Sequence, residues 1–459
     1  MGGMSTVGFA HEGDLDTQVG HWRTYVERHR AVATADVDEL EDHLRGQVAE
    51  LRRAGLSDDE AFLVAVKRMG RLDAISREFA REHSERLWKQ LVLPAAADDG
   101  APPRRTLRAA LACAVLAAVA VKVPALVGVD PVDDAGFYLR NASLLVLPAL
   151  VGYFAWERRL PRRGIAVLVA AFTLAALVAN LYPVTPGGAT EVLIGVHLPI
   201  ALWFAVGYAY LGGQWRSGQR RMDAVRFTGE WLVYYALLAL GGGVLIGLTL
   251  AAFGAIGLDV GSLAESWLLP CGAAGAVVVA AWLVEAKQSV VENMAPVLTK
   301  VFTPLFTVML VALLVTALWS GGWLAIDRDL LIVFDLLLVL VLGLLLYALS
   351  ARDPHAPPDA FDRLQLLLLL AALAVDALAL ANMVDRLSTL GLSPNRVAVL
   401  GLNVVLLVNL AWSARLWLPM VRGRRPAADV VAWQTGYLPV FAIWATAVVV
   451  LVPPLFDFA

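Results

Sequence analysis

The chain has 459 residues, of which 59% are hydrophobic and only 17% are charged, and its mean hydropathy is +0.67. This composition excludes an ordinary water-soluble globular protein. The formal net charge of -3 gives no general attraction to nucleic acid, so we expect no nucleic-acid partner.

The charged residues are concentrated at the start of the chain. Residues 39–62 read ELEDHLRGQVAELRRAGLSDDEAF, where Leu40, Leu44, Val48 and Leu51 form the stripe of an amphipathic helix. The run SDDE that follows is a capping box for a second helix. With flanking helical patterns, these signals predict a small water-soluble bundle of about four helices over residues 16–92, which we call the head. Residues 1–15 carry no such pattern and are expected to be disordered.

The longer stretch ELEDHLRGQVAELRRAGLSDDEAFLVAVKRMGRLDAISREF resembles the bacterial permease prefix domain, also described as a HAAS-type domain. The similarity covers roughly residues 16–90, and its core is Gly-Leu-Ser-Asp-Asp-Glu-Ala. Such domains are fused to multi-pass membrane proteins, often permease-like, and often occur near PadR-type repressors. The resemblance therefore implies that the head regulates the protein or binds a cytoplasmic protein partner and performs no catalysis.

A linker over residues 93–104 leads to long apolar runs over residues 105–459. A run of about 20 apolar residues is long enough to cross the hydrocarbon core of a bilayer as a helix. We predict an all-α membrane domain of about eleven spans, at residues 106–128, 137–156, 164–182, 191–212, 231–257, 266–286, 301–322, 329–350, 362–384, 395–419 and 430–453.

Basic residues between the predicted spans occur in alternate connections. They cluster at residues 157–163, 215–226, 287–300, 352–363 and 422–425, whereas the opposite connections carry mainly Asp and Glu. Because cytoplasmic loops are enriched in Lys and Arg, this alternation predicts a cell-membrane protein with a cytoplasmic N-terminus and an extracytoplasmic C-terminus.

A weak internal repeat relates residues 134–159 to residues 327–352. Without gaps, the shared Leu-Leu-Val-Leu run and the closing Arg align. This pattern predicts a parallel duplication in which the first five spans correspond to the last five, as in many transporters. Chance similarity between leucine-rich spans is the alternative.

No motif for catalysis or for a cofactor occurs in the sequence. There is no nucleotide-binding loop, no His-Glu-x-x-His, no Cys-x-x-Cys and no Gly-x-Ser-x-Gly, so we expect neither an enzyme nor a bound metal or cofactor. The pair Gly243 and Gly247 lies in an apolar span and is typical of close helix packing.

Polar residues inside the spans are the candidates for function, because an ionisable group at membrane depth is costly and usually faces a cavity or a partner. Hydrogen bonding between helices is the alternative role for each of them, and it is the favoured one for the asparagines. The candidate intramembrane residues are Asp335, Asp376, Asn382, Asn403, Asn409 and His197.

The segment at residues 290–300 is mildly amphipathic and is predicted to lie along the inner membrane interface. Together with the phrases LSPNR and WQTGY, it resembles an uncharacterised bacterial multi-pass family, which implies no substrate.

Two functions from different classes follow. One is a permease-like protein that moves a small solute or ion, with the intramembrane aspartates as its site. The alternative is a membrane sensor or scaffold whose head signals to a cytoplasmic partner or a PadR-type regulator. A cavity that contains Asp335 or Asp376 would favour transport.

Overall fold

The protein is all-α in a computed structural model, which describes residues 19, 34–53, 56–57, 61–62, 64–65, 104–129, 134–286, 294–320, 328–352 and 356–459. The chain divides into two compact units, Met1–Gly100 and Ala101–Ala459. The division falls within the predicted linker over residues 93–104.

The described part of the head is built on helix α1 (Thr34–Arg53). Leu44, Val48 and Leu51 are buried together with Val19 and Ala61, which confirms that these three α1 residues share one apolar face. Burial of this face stabilises α1, because most of the stability of helices in proteins comes from packing of an amphipathic face. The side chain of residue 40, the acidic part of the capping box, residues 1–15 and the other predicted head helices lie outside the described residues.

Within the described residues of the second unit, eleven helices are long and apolar enough to cross a membrane. Many of their large apolar side chains are exposed, as expected for contact with lipid. The chain is therefore an integral, multi-pass, all-α membrane protein. The helices are α2 (Arg104–Leu126), α3 (Ala135–Glu157), α4 (Arg162–Leu181), α5 (Ala189–Tyr210), α6 (Gly218–Ala255), α7 (Gly261–Ala286), α8 (Met294–Ser320), α9 (Arg328–Ser350), α10 (Ala360–Leu390), α11 (Pro394–Met420) and α12 (Ala427–Leu455).

Most of these helices are longer than the apolar runs that predicted them, and the extension is largest at one end of α6, α8 and α10. Helix α6 begins at Gly218, because the Ser217 hydroxyl caps it by accepting the N–H of Arg220. Helix α10 continues to Leu390. Helix α8 begins at Met294, so residues 294–300 are its first turns, whereas residues 290–293 lie outside the described residues. That this segment lies along the inner interface stays a prediction.

Two apolar cores hold the membrane unit together. One joins α2 and α7 to α3 and α5, and the other joins α8, α9 and α10 to α11 and α12. Helix α5 packs against α12, and α6 packs against both α7 and α9, so these contacts link the two cores.

The predicted duplication pairs α2 to α6 with α8 to α12. Contacts between successive helices recur in both sets, but α3 packs extensively against α5 whereas the corresponding α9 and α11 barely touch. The duplication therefore stays a prediction.

The second half of α6 contains Gly243 and Gly247, which were predicted to allow close packing against another helix. A Cβ atom placed on Gly243 or on Gly247 would meet no atom within 4 Å. Leu240, Val244 and Leu248 nearby are 63–69% exposed. The prediction that these glycines allow close helix packing is therefore wrong for the described contacts of this chain, where this surface faces outward.

Candidate functional site

Three buried polar side chains from three helices lie together in the second core. Asp335 on α9 is 7% exposed, Asp376 on α10 is 0% exposed and Asn403 on α11 is 1% exposed. Asp335 is the shared neighbour, because it interacts electrostatically with Asp376 and faces the amide of Asn403. The structure thus brings three of the six predicted residues into one place, which we call the carboxylate site.

The carboxylate site is deep in the bundle. Asp376 lies about 24 Å from the start of α10 and about 21 Å from its end, given the rise of 1.5 Å per residue. Asp335 lies about 10 Å and Asn403 about 14 Å from the starts of their helices. Each of the three is therefore well inside a helix that is long and apolar enough to cross a membrane.

Asp335 and Asn403 lie close enough to interact, but most polar atoms of the carboxylate site lack a well-formed hydrogen bond to any described residue. Among the described residues, both oxygens of Asp376, Oδ1 of Asp335 and both amide atoms of Asn403 have no hydrogen-bond partner. Leaving a buried polar group unpaired costs about 1–3 kcal/mol, and an isolated buried charge costs far more. Two neighbouring carboxylates also repel each other when both are ionised. The arrangement is thus suited to holding a proton or a small cation between the two aspartates.

The donor set is too small for a multi-carboxylate metal site. No group of three or more His, Cys, Asp or Glu side chains converges anywhere in the described part of the chain. Two carboxylates and one amide oxygen supply only oxygen ligands, which suit hard cations rather than zinc or copper.

Three buried threonines, which we call the threonine line, lie along α8, which packs against the helix that carries Asp376. Thr299, Thr303 and Thr307 are buried on one face of α8, which packs against α10. The Thr307 hydroxyl donates to the Thr303 carbonyl at 2.7 Å, and the Thr303 hydroxyl oxygen has no partner among the described residues. Hydroxyls at every fourth position form a continuous polar stripe of about 12 Å along the helix.

The threonine line begins at a cavity of about 210 Å³ between α8, α9 and α10. Thr299 and Gln365 line it together with the ion pair of Arg352 and Asp362, whose two hydrogen bonds measure 2.9 and 3.0 Å. Asp362, Gln365 and Asp376 have the spacing of one face of α10. A polar surface therefore extends from this cavity part of the way to Asp376, and the apolar Leu369 and Ala372 complete the distance.

Asn409 belongs to a separate and fully paired network. Its amide donates to Gln434 Oε1 at 3.1 Å, and Gln434 Nε2 donates to Ser413 Oγ at 2.8 Å and to Asn409 Oδ1 at 3.3 Å. The Ser413 hydroxyl donates to the Asn409 carbonyl at 2.6 Å. These contacts join α11 to α12, which is the bonding that a packing role for Asn409, the favoured role for the asparagines, would need.

The remaining two predicted residues, Asn382 and His197, each make a hydrogen-bond contact within their own helix. Asn382 is buried on α10, and its amide donates to the Leu378 carbonyl at 3.0 Å. His197 on α5 is half-buried, and its Nδ1 lies 3.0 Å from the Leu193 carbonyl. Both contacts are with the residue one turn earlier on the same helix.

The sequence interpretation missed Gln434, Ser413 and the three threonines. Ser413 follows Asn409 by four residues, and the threonines repeat with the same spacing, so helical periodicity of polar residues was the available signal. Gln434 had no such signal, because its partners are on another helix.

No family model, curated protein or solved structure matches the chain. Its function is therefore inferred from the geometry of the site.

Proposed function

We propose that the protein is permease-like and that the carboxylate site takes up a proton or a small cation during transport. The observation that supports this is the burial of Asp335, Asp376 and Asn403 with five unpaired polar atoms. A packing role would be expected to pair those atoms, as the amide atoms of Asn409 are paired. An unsatisfied site destabilises the fold, and a bound proton or cation would offset that cost.

The route to the site from one end of the bundle is the threonine line of α8. The cavity at Thr299 and Gln365 gives water access to its first residue, and hydroxyl oxygens can replace part of a cation's hydration shell. The side chains of Leu369 and Ala372 close the inner end. We infer that the described conformation is occluded, since neither aspartate of the carboxylate site lines this cavity or three larger cavities elsewhere in the membrane unit.

We propose further that the head, which resembles a permease prefix domain, regulates this activity or binds a cytoplasmic partner. The separate compact unit at the start of the chain and its buried leucine face support an independent domain. The alternative, a membrane sensor or scaffold, is favoured by the closed carboxylate site, because a protein that only signals needs no pathway through the bundle.

Reconstituted protein can decide between these functions. Proton and Na⁺ or K⁺ fluxes into vesicles would be measured for the native chain, for Asp376→Asn and for Asp385→Asn as the matched control. Asp385 is an exposed acid on the same helix, so its substitution tests charge without touching the site. We expect flux from the native chain and the control, and none from Asp376→Asn.

The amide variant keeps the size of the side chain, so correct folding can be checked by gel filtration and by thermal unfolding. If well-folded native protein shows no flux of any of these ions under an imposed gradient or potential, the transport proposal fails and the sensor function is preferred.

A further inference from the structure

A polar cavity of about 460 Å³ opens between α6, α9 and α12 at the end of the bundle that carries the basic loops. Two guanidinium groups line it, those of Arg226 and Arg352, together with the carboxylate of Asp223; Arg352 is also paired with Asp362. Arg226 is oriented by donating to the Ser350 carbonyl at 2.7 Å. The first turn of α12, whose N-cap Pro426 makes no side-chain cap, adds backbone N–H groups to the same wall.

An apolar cavity of about 440 Å³ follows it along the bundle, between α5, α6, α8 and α9. Its walls are aromatic and aliphatic, with Trp203 and Tyr347 among them. Leu232 and Leu340 at its edge are 57% and 49% exposed, so the cavity is open toward the lipid.

The two cavities are consecutive on three helices. On α6 the lining of the polar cavity begins at Gly218, and the lining of the apolar cavity ends at Val233. These two residues are about 22 Å apart along the helix axis. On α9 and α12 the order is the same, with the polar lining nearer the basic end. Half of the 40–45 Å total thickness of a bilayer is also about 22 Å. The combined shape thus fits one leaflet, with charge at the head-group level and apolar walls at the acyl level.

We propose that this surface is a binding site for one anionic phospholipid, with its phosphate at Arg226 and an acyl chain in the apolar cavity. The guanidinium groups and the first N–H groups of α12 are the donors that suit a phosphate, which binds guanidinium through charge-assisted hydrogen bonds. A free phosphate would occupy only the polar cavity, and the apolar cavity would have no ligand. The site is separate from the carboxylate site, so its occupancy is independent of the transport proposal.

The test measures binding and needs no transport assay. Purified full-length protein in neutral detergent is titrated with phosphatidylglycerol, with phosphatidylcholine of the same acyl chains, and with inorganic phosphate. Bound lipid is counted by native mass spectrometry, and thermal unfolding is followed in parallel. Gly343→Leu fills the apolar cavity, because Gly343 lines it and a Cβ there would meet no atom within 4 Å. Arg226→Gln removes the charge at the polar end.

Each variant has a matched control. Gly247→Leu places the same side chain in equally open space outside both cavities, and Arg422→Gln removes an exposed arginine of another basic loop. Both lipids carry a phosphate, but the choline cation of phosphatidylcholine would lie near the guanidinium groups and be repelled by them. We therefore expect phosphatidylglycerol to bind the native chain about tenfold more tightly than phosphatidylcholine. Both cavity variants should lose this preference or the binding itself, and both controls should keep it.

Equal binding of the two lipids by the native chain would overturn the proposal. So would full retention of phosphatidylglycerol binding by Gly343→Leu, or stabilisation by inorganic phosphate alone that matches the effect of the lipid. If Arg226→Gln does not fold, the response of Gly343→Leu still decides between binding and no binding at this surface.

Discussion

Replacing Asp376 with leucine should make the protein more stable, whereas replacing Gln434 with leucine should make it less stable. Both residues are buried polar side chains of the membrane unit, 0% and 2% exposed, and both would become apolar. The difference is in their partners. Both oxygens of Asp376 lack a hydrogen bond among the described residues, whereas Gln434 donates to Asn409 and Ser413 and accepts from Asn409.

The magnitudes follow from this difference in partners. Asp376→Leu removes an unsatisfied buried group and should raise the free energy of unfolding by about 1–3 kcal/mol. Gln434→Leu removes the hydrogen bonds that the amide of Asn409 and the hydroxyl of Ser413 make with Gln434. Hydrogen bonds within membranes average about 0.6 kcal/mol and reach about 1.7 kcal/mol, so the loss of two or three should cost about 1–3 kcal/mol.

The assay is unfolding of the purified protein in one detergent, followed by circular dichroism and by size-exclusion chromatography after heating. The native chain, the two variants and Asp385→Leu, an exposed site on α10, are compared at one pH. A loss of stability in Asp376→Leu as large as that in Gln434→Leu would refute the reasoning, because it would show that the carboxylate of Asp376 holds helices together.

Three further outcomes are expected. Cysteine labelling from the outside of intact cells should reach a residue placed at Asp259 but not one at Arg220, and labelling of the latter would reverse the predicted orientation. The head expressed by itself should be helical by circular dichroism, and Leu44→Asp should unfold it, because a charge in its apolar core costs roughly 2–4 kcal/mol. Gly401→Ala should lower the free energy of unfolding by about 1–3 kcal/mol, since the new methyl group would collide with the ring of Trp444; unchanged thermal unfolding would show that the ring can move aside.

The membrane spans were predictable because few backbone conformations are stable in lipid. Backbone groups in hydrocarbon must be bonded within the segment, so each long apolar run becomes a helix. Helix ends depend instead on polar residues outside the hydrocarbon. Ser217 starts α6 well before its apolar run, and α8 includes the turns that were predicted to lie along the interface. Hydropathy does not register such extensions.

Single members of the carboxylate site were predictable, and their grouping was not. Asp335 and Asp376 are conspicuous as acids within apolar runs. Their proximity depends on how α9 and α10 are rotated and packed against α11. The same limit explains the omission of Gln434, which is recognisable as a partner of Asn409 only when α11 and α12 are in contact.

The two asparagines of α11 show why residue type alone could not separate structure from function. Asn403 and Asn409 are both about 1% exposed or less, and they lie about 9 Å apart along one helix. Asn409 meets Gln434, whose amide matches its own donor and acceptor, so the pair needs nothing else. Asn403 faces Asp335, and its amide atoms stay unpaired among the described residues. A proton or cation shared with Asp335 and Asp376 would give Asn403 a partner, as Gln434 does for Asn409. The proposed function thus follows from a polar cluster that the described side chains around it leave incomplete.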